Sequence, residues 1–447
     1  MTAKPSAAGR GPLGTVFLIV FLDMVGFSIL FPLFPALLEH YVGLEGADSA
    51  IGRLRDFLAE LAGADEHAVV AFFGGILGAL YSLLQFLFAP FWGALSDRIG
   101  RRPTLLVTLV GSVLAYLLWM LAGSFSLLIA SRLLGGIMAG NISTATAVVA
   151  DTTSAEKRAG GMGLVGMAIG LGFVLGPAIG GATSVWSLAV PEDGAWSRGL
   201  ALNPFSGPAL AATLLALLNL ALVATRLRET LPAERRGRGA RRAAWNPFGA
   251  TRRLGLAGVT TTTLVNFLYT VAFSSMEFML TFLAVERLAY GPTDNTWMFV
   301  FIGLVIALVQ GGLVRRLAPR FGERRLVVTG LALILPGLLA IHQAYSSPML
   351  YVGLAFLAVG SAIAMPCMSA LVSRYSPAER QGAALGAFRS AGALARAVGP
   401  FLGGALYWWL GSGAPYMAGA VFLLWPLLLA LRLPPPRAAQ VGSGSRR

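Results

Sequence analysis

Cysteine is almost missing from this 447-residue chain: Cys367 stands alone, which excludes an internal disulfide framework and any multi-cysteine metal site. Histidine is nearly as scarce. His40, His67 and His342 are far apart in sequence, and no His/Cys/Asp cluster or nucleophile motif accompanies them, so neither an enzyme, a metal nor a cofactor is expected. Charge is sparse too, at 12% Asp, Glu, Lys and Arg against about 25% in a soluble domain. Lysine is reduced to Lys4 and Lys157 beside a large arginine excess, a bias that points to a GC-rich genome and a bacterial source. What fills the chain is apolar: 56% hydrophobic residues and a mean hydropathy of +0.73. This is the composition of a polytopic membrane protein. The net charge of +14 does not indicate nucleic acid, because the basic residues sit in short loops between apolar runs. Lys4 and Arg10 precede a long apolar run with no A-x-A cleavage signal, so that run reads as a first helix and not as a removed leader.

Apolar length predicts twelve transmembrane helices over 13–38, 69–92, 103–123, 125–149, 160–185, 208–226, 255–284, 296–317, 326–346, 348–373, 382–409 and 414–433. The fold expected is an all-α membrane protein. Arg53, Arg55, Arg198 and Arg287 occupy the loops on one side, and Arg132, Arg389 and Arg396 fall inside spans. The other 27 of the 34 basic residues lie on the opposite side with both termini. That bias places the termini in the cytoplasm of a cell inner (plasma) membrane protein. The Arg-rich stretch 227–254 separates a six-helix half at 1–226 from a second at 255–447, and as a solvated linker it would touch anionic headgroups. Two insertions lie on the external side. Glu39 to His67 spaces Ile51, Leu54, Phe57, Leu58 and Leu61 as a surface helix would, while Val185 to Pro208 suggests no function.

The halves repeat. Ser154-Ala-Glu156 with Gly163 returns 223 residues later as Pro377-Ala-Glu379 with Gly386. The same offset relates Gly176-Pro177-x-x-Gly180-Gly181 to Gly399-Pro400-x-x-Gly403-Gly404, although Ala393 and Ala395 replace Gly170 and Gly172. Parallel repeats joined by a linker suit a rocking transporter whose site lies between its halves. Small residues at such spacing let helices approach closely, and the proline favours a kink, so packing alone would also account for the motif.

The tight loop Gly93-Ala-Leu-Ser-Asp97-Arg98-Ile-Gly100-Arg101-Arg102 resembles the signature loop of the major facilitator superfamily. Gly172, Gly176, Pro177, Gly180 and Gly181 resemble the motif of its antiporter branches. The first span, with Asp23 before Gly26, Pro32 and Pro35, is similar to that of the tetracycline-efflux (TetA-like) drug/proton antiporters. Arg132 matches the arginine of the fourth-span motif tied to proton coupling, with Gly135 where glutamine is usual. The third span lacks the acid that tetracycline exporters carry nearby. The resemblance implies two pseudo-symmetric six-helix halves, alternating access, and a cytoplasmic gate in which Asp97 and Arg101 meet charges on the fourth and eleventh spans. Asp151 and Arg389 are the matching positions.

Charges inside spans are costly, about 2.5–3.5 kcal/mol each on insertion scales, and therefore mark function or a fixed ion pair. Asp23 and Glu277 are the candidate proton carriers. A transporter that brings an acid towards an arginine and then separates them unloads and reloads a proton. Arg132 would modulate either acid, while Arg396 would pair with one of them or bind an anionic substrate. Asn141, Ser143, Thr144, Asn266, Tyr269, Thr270 and Gln310 are the polar candidates for the cavity wall. The Phe/Met cluster of span seven reads first as packing. The function expected is proton-coupled efflux of an amphipathic small molecule by a monomer in the lipid bilayer, with protons as the driving force. A proton symporter or facilitator for an organic anion or nutrient is one alternative, and a lipid or lysophospholipid transporter the other.

Overall fold

Proline and glycine decide where the long apolar runs break. A computed structural model of the chain describes residues 12–45, 48–49, 52–53, 55–57, 60, 66–153, 155–186, 200–236, 247–377 and 380–435. The first span is α1 (Pro12–Ser28), a 3₁₀ turn at Phe31–Leu33 and α2 (Phe34–Glu45), interrupted where Pro32 and Pro35 withhold backbone donors. The second and third are α3 (Glu66–Ile99) and α4 (Arg101–Met120). The fourth divides at Gly140 into α5 (Phe125–Met138) and α6 (Asn141–Thr152). There the Trp92 indole donates to the Ile137 carbonyl (2.6 Å), satisfying a group the break would leave orphaned. α7 (Ala155–Ser184) and α8 (Ser206–Arg226) complete the first half.

A short α9 (Pro247–Arg253) leads into the second half, α10 (Ala257–Leu288) and α11 (Pro292–Leu308). α11 runs through a π-helical turn at Val309–Val314 into α12 (Arg315–Phe321). α13 (Glu323–His342), α14 (Ser347–Tyr375), α15 (Gln381–Leu410) and α16 (Ala414–Leu431) follow. Among the described residues, eleven segments are long and apolar enough to cross a membrane. The remaining expected span, the eleventh at 382–409, corresponds to α15, whose 30 residues extend about 45 Å but dilute their hydropathy with Arg389, Arg396 and several Gly. Beyond one bridge between Ala122 and Leu200, the described residues are helical or irregular.

The duplicated glycines hold equivalent helix pairs. Gly172, Gly176 and Gly180 of α7 lie against α1 at Met24, Val25, Ser28 and Ile29, so close that a Cβ would strike backbone or side chain. Ser28 Oγ donates to Gly172 O (3.0 Å). In the second half Gly399 and Gly403 of α15 lie as tightly against α10 at Ser274 and Ser275. Ser274 Oγ points to Ala395 O (3.4 Å), the acceptor 223 residues after Gly172.

Contacts between the halves gather at the end of the bundle away from Asp97, the distal end. A Cβ on Gly75 would meet Pro400 O at 2.6 Å, and Gly404 lies over Ala71 and Phe72. Gly181 touches Thr296, Gly74 touches Phe282, and Phe72 stacks on Trp408 at 5.1 Å. Phe72 also meets Phe401 across the halves (6.4 Å), and among the described residues no hydrogen bond or ion pair of Asp97, Arg101, Asp151, Glu323 or Arg374 joins the halves at the Asp97 end. The cleft between the halves is therefore closed distally and open towards the Asp97 end.

Ile51, Leu54, Leu58 and Leu61 of the expected surface helix, 187–199 of the second insertion, 237–246 of the linker and the terminal arginines Arg10, Arg437, Arg446 and Arg447 lie outside the described residues.

Candidate functional site

Where the closed distal contacts end, at mid-depth, residues of both halves line a small cavity of about 50 Å³. The wall is mainly aromatic. Phe27, Phe31, Phe34 and Phe173 come from the first half and Phe278 from the second, with Phe34 and Phe278 edge to face at 4.8 Å. Three charged groups interrupt it: Arg132 of α5, Glu277 of α10 and Arg396 of α15. Tyr81, Ser82 and Ser274 add hydroxyls. Arg132 is 4% exposed, and its guanidinium lies 5.2 Å from the centroid of Trp119, a cation–π contact that offsets part of its desolvation. Glu277 and Arg396 face each other within electrostatic reach, yet no ion pair within 4.0 Å joins them.

Asp23 occupies a separate polar niche behind this wall. Asn141 Nδ2 donates to Asp23 Oδ1 (2.7 Å), and Thr108 Oγ1 donates to Asn141 Oδ1 (2.5 Å). Tyr81, which lines the cavity, and Tyr116 lie within electrostatic reach of both Asp23 and Arg132.

At the open end, Arg101 is the hub. Its Nη1 donates to Asp97 Oδ1 (2.5 Å) and Ser96 Oγ (2.7 Å), and its Nε to Asp151 Oδ2 (2.8 Å). These bonds tie α3, α4 and α6 together inside the first half. Gly100, at φ +110°, makes the sharp entry into α4 that a side chain would resist. α4 opens with two arginines, the wrong charge for a helix N-terminus. Glu229, just past α8, supplies the missing acid, accepting from the N–H groups of Arg101 (2.9 Å) and Arg102 (3.1 Å). Burial would raise the Glu229 carboxyl, but the N–H groups of Leu231, Arg101, Arg102 and Thr230 outweigh it and hold it below its ordinary 4.5. Arg102 Nη2 also reaches Ala224 O (2.7 Å). Arg98 points to solvent.

The second half builds the same corner with the charges exchanged. Gly322 has φ +77°, and Glu323 opens α13 and meets Arg374 of α14 at 2.6 Å, as Arg101 meets Asp151. Arg324 Nη2 donates to Leu431 O (2.6 Å), as Arg102 does to Ala224 O.

Of the expected cavity residues, Arg396 lines the space, along with the coupling candidates Glu277 and Arg132. Asn141 is turned towards Asp23. Asn266 is 5% exposed and lies beside Gly392, and Gln310 sits in the π turn near the open end. Tyr269 is buried in the interior of the second half, beside Ser361 and near Phe273 and Met276. Polarity in a span therefore does not by itself place a side chain on the cavity: Asn141, for one, is spent inside its own half on Asp23 and Thr108. Arg389 lies half-buried on α15 within electrostatic reach of Arg396. Pro177 sits within α7 among the packed glycines. Sequence reasoning missed Tyr81, Tyr116, Trp119 and Glu229. A lone aromatic in an apolar helix carries no signal of the charge it will face, and Glu229 was hidden in an Arg-rich linker.

The Major Facilitator Superfamily profile matches residues 16–321 and 313–446. Major facilitator superfamily domain-containing protein 10 of Bos taurus is 36% identical over 448 residues, covering 95% of this chain and 93% of its own length. The class C tetracycline resistance protein of Escherichia coli is 30% identical over 419 residues, covering 92% and 93%. The crystal structure of the human organic anion transporter MFSD10 (TETRAN) superposes with a TM-score of 0.75 at 33% identity, covering 95% of this chain and all of that one. Duplicated glycine corners, a cleft between two helical halves and these full-length matches lead to one conclusion: the chain belongs to the Major Facilitator Superfamily and is a transporter, not an enzyme.

Proposed function

We propose that this protein is a proton-coupled secondary transporter of amphipathic organic anions, working by alternating access. The observation that carries the reading is the cavity: Arg132 and Arg396, from opposite halves, enter one aromatic-walled space that holds a single acid, Glu277. Two guanidiniums against one carboxylate favour an anion, and the phenyl rings favour an apolar body attached to it. The human relative of known structure, described as an organic anion transporter, supports the same substrate class. The protein is placed in a plasma membrane with both termini cytoplasmic, so the open end faces the cytoplasm. It acts as a monomer that needs the lipid bilayer and a proton gradient and no cofactor.

A second reading, proton-driven efflux of drugs by antiport, rests on a different observation. Asp23 is held by Asn141 in a niche of its own, in a chain 30% identical to a tetracycline resistance protein. Proteoliposome flux separates the two. Under the anion reading, labelled 1-naphthoate is carried and the matching cation 1-naphthylmethylammonium is not, and Arg132→Gln and Arg396→Gln each abolish transport. Carriage of the cation alone, untouched by both substitutions, would sink the anion reading.

A further inference from the structure

Glu277 and Arg396 face each other in the cavity without closing an ion pair, and neither makes a hydrogen bond to another described residue. Every element around Glu277 contributes to its surroundings. α15 presents Arg396, with Arg389 further along the same helix. α5 presents Arg132, α3 presents Tyr81 and Ser82, and the 3₁₀ turn and α2 offer only Phe31 and Phe34. On α10 itself Tyr269 lies nearby, against Ser361 of α14, and Tyr416 of α16 is turned to the Met276 carbonyl. Glu277 is thus the one acid on a wall with two arginines.

The two halves differ at this position. Ser28 and Ser274 are equivalent, since they bond to carbonyls that are themselves equivalent. Counting three residues on from each sets Glu277 opposite Phe31, another cavity residue. One half presents a phenyl ring where the other presents a carboxylate.

We infer that Glu277 is an internal surrogate for the substrate's anionic group, and that its protonation removes the charge that competes for Arg396, so that a proton and an organic anion bind together. An ionised Glu277 repels an incoming carboxylate and competes for Arg396. A protonated Glu277 does neither, and can donate a hydrogen bond to the arriving anion. Because the linkage is reciprocal, the anion draws a proton onto Glu277 as firmly as the proton favours the anion. Each carrier movement that takes the anion across then takes this proton in the same direction. Co-movement, opposite in sense to the exchange implied by the antiporter-type glycine motif, is the consequence. The inference rests on the anion reading above and assigns it a sign.

The test uses the purified full-length protein and equilibrium dialysis of labelled 1-naphthoate, which stays ionised over roughly pH 5.5 to 8.5. In the wild type the Kd should rise about tenfold per pH unit once Glu277 ionises. Glu277→Gln should hold the low-pH Kd across the range, Glu277→Asp should keep the pH dependence, and Arg396→Gln should lose binding at every pH. A flat profile in Glu277→Gln assigns the pH dependence to Glu277 and to no other group of the chain. A wild-type Kd that is constant, or that falls as pH rises, overturns co-binding while leaving the anion reading in place. Failure of the wild type to bind 1-naphthoate at any pH removes the anion reading itself.

Discussion

Reversing the charge of Arg101 should be among the most damaging single changes at the open end, and the second half of the molecule says how to repair it. Arg101 is 7% exposed and serves two carboxylates, Asp97 at 2.5 Å and Asp151 at 2.8 Å. Removing one partner of a buried pair costs about 3–5 kcal/mol. The Asp97 and Asp151 side chains are 37% and 21% exposed, so water recovers part of that, and Arg101→Gln should cost about 2–3 kcal/mol. Arg101→Glu adds repulsion among three carboxylates and should cost about 4 kcal/mol or more. Glu323 and Arg374 hold the same corner of the second half with the charges exchanged, and Pro319 occupies the position equivalent to Asp97. The triple variant Arg101→Glu, Asp151→Arg, Asp97→Asn should therefore regain all but about 1 kcal/mol, helped by an acid in the first turn of α4. Equilibrium unfolding of the full chain in mixed micelles reads these differences. A triple variant no more stable than Arg101→Glu would refute the claim that the two corners are interchangeable ion pairs.

Three further outcomes follow from the same geometry. Glu229→Gln should cost about 1–2 kcal/mol. Because the folded protein holds this carboxyl below 4.5, its contribution is complete above that pH and fades as pH falls through the lowered value, so wild type and variant should converge in acid unfolding curves. Gly75→Leu should force the distal contacts apart, since even a Cβ would lie 2.6 Å from Pro400 O. A cysteine at Ser82 should then react with an impermeant thiol reagent added from the distal side, against little background from the buried Cys367, and no gain in labelling would contradict the closed distal end. Asp23→Asn should leave the pH profile of 1-naphthoate binding unchanged, because Asp23 is absent from the cavity wall; a flattened profile would move the proton site to the niche.

Much was decided along the chain. Apolar length and the bias of arginine sites produced the spans, because a bilayer demands about 20 apolar residues whatever their neighbours. The 223-residue repeat showed the halves, and in-span charge drew attention to Glu277, Arg132 and Arg396, which share a cavity. Only the tertiary structure decided which polar residues face that cavity. Asn141, Asn266 and Tyr269 are as polar as Ser82 or Ser274, but they lie inside a half, since a helix face is chosen by what packs against it. It also decided that Glu229 completes the start of α4, and that one corner is the charge-reversed copy of the other. Both are relations between residues distant in sequence. Local pattern fixes which segments can sit in a membrane, whereas a site between two halves exists only once twelve helices have chosen their neighbours.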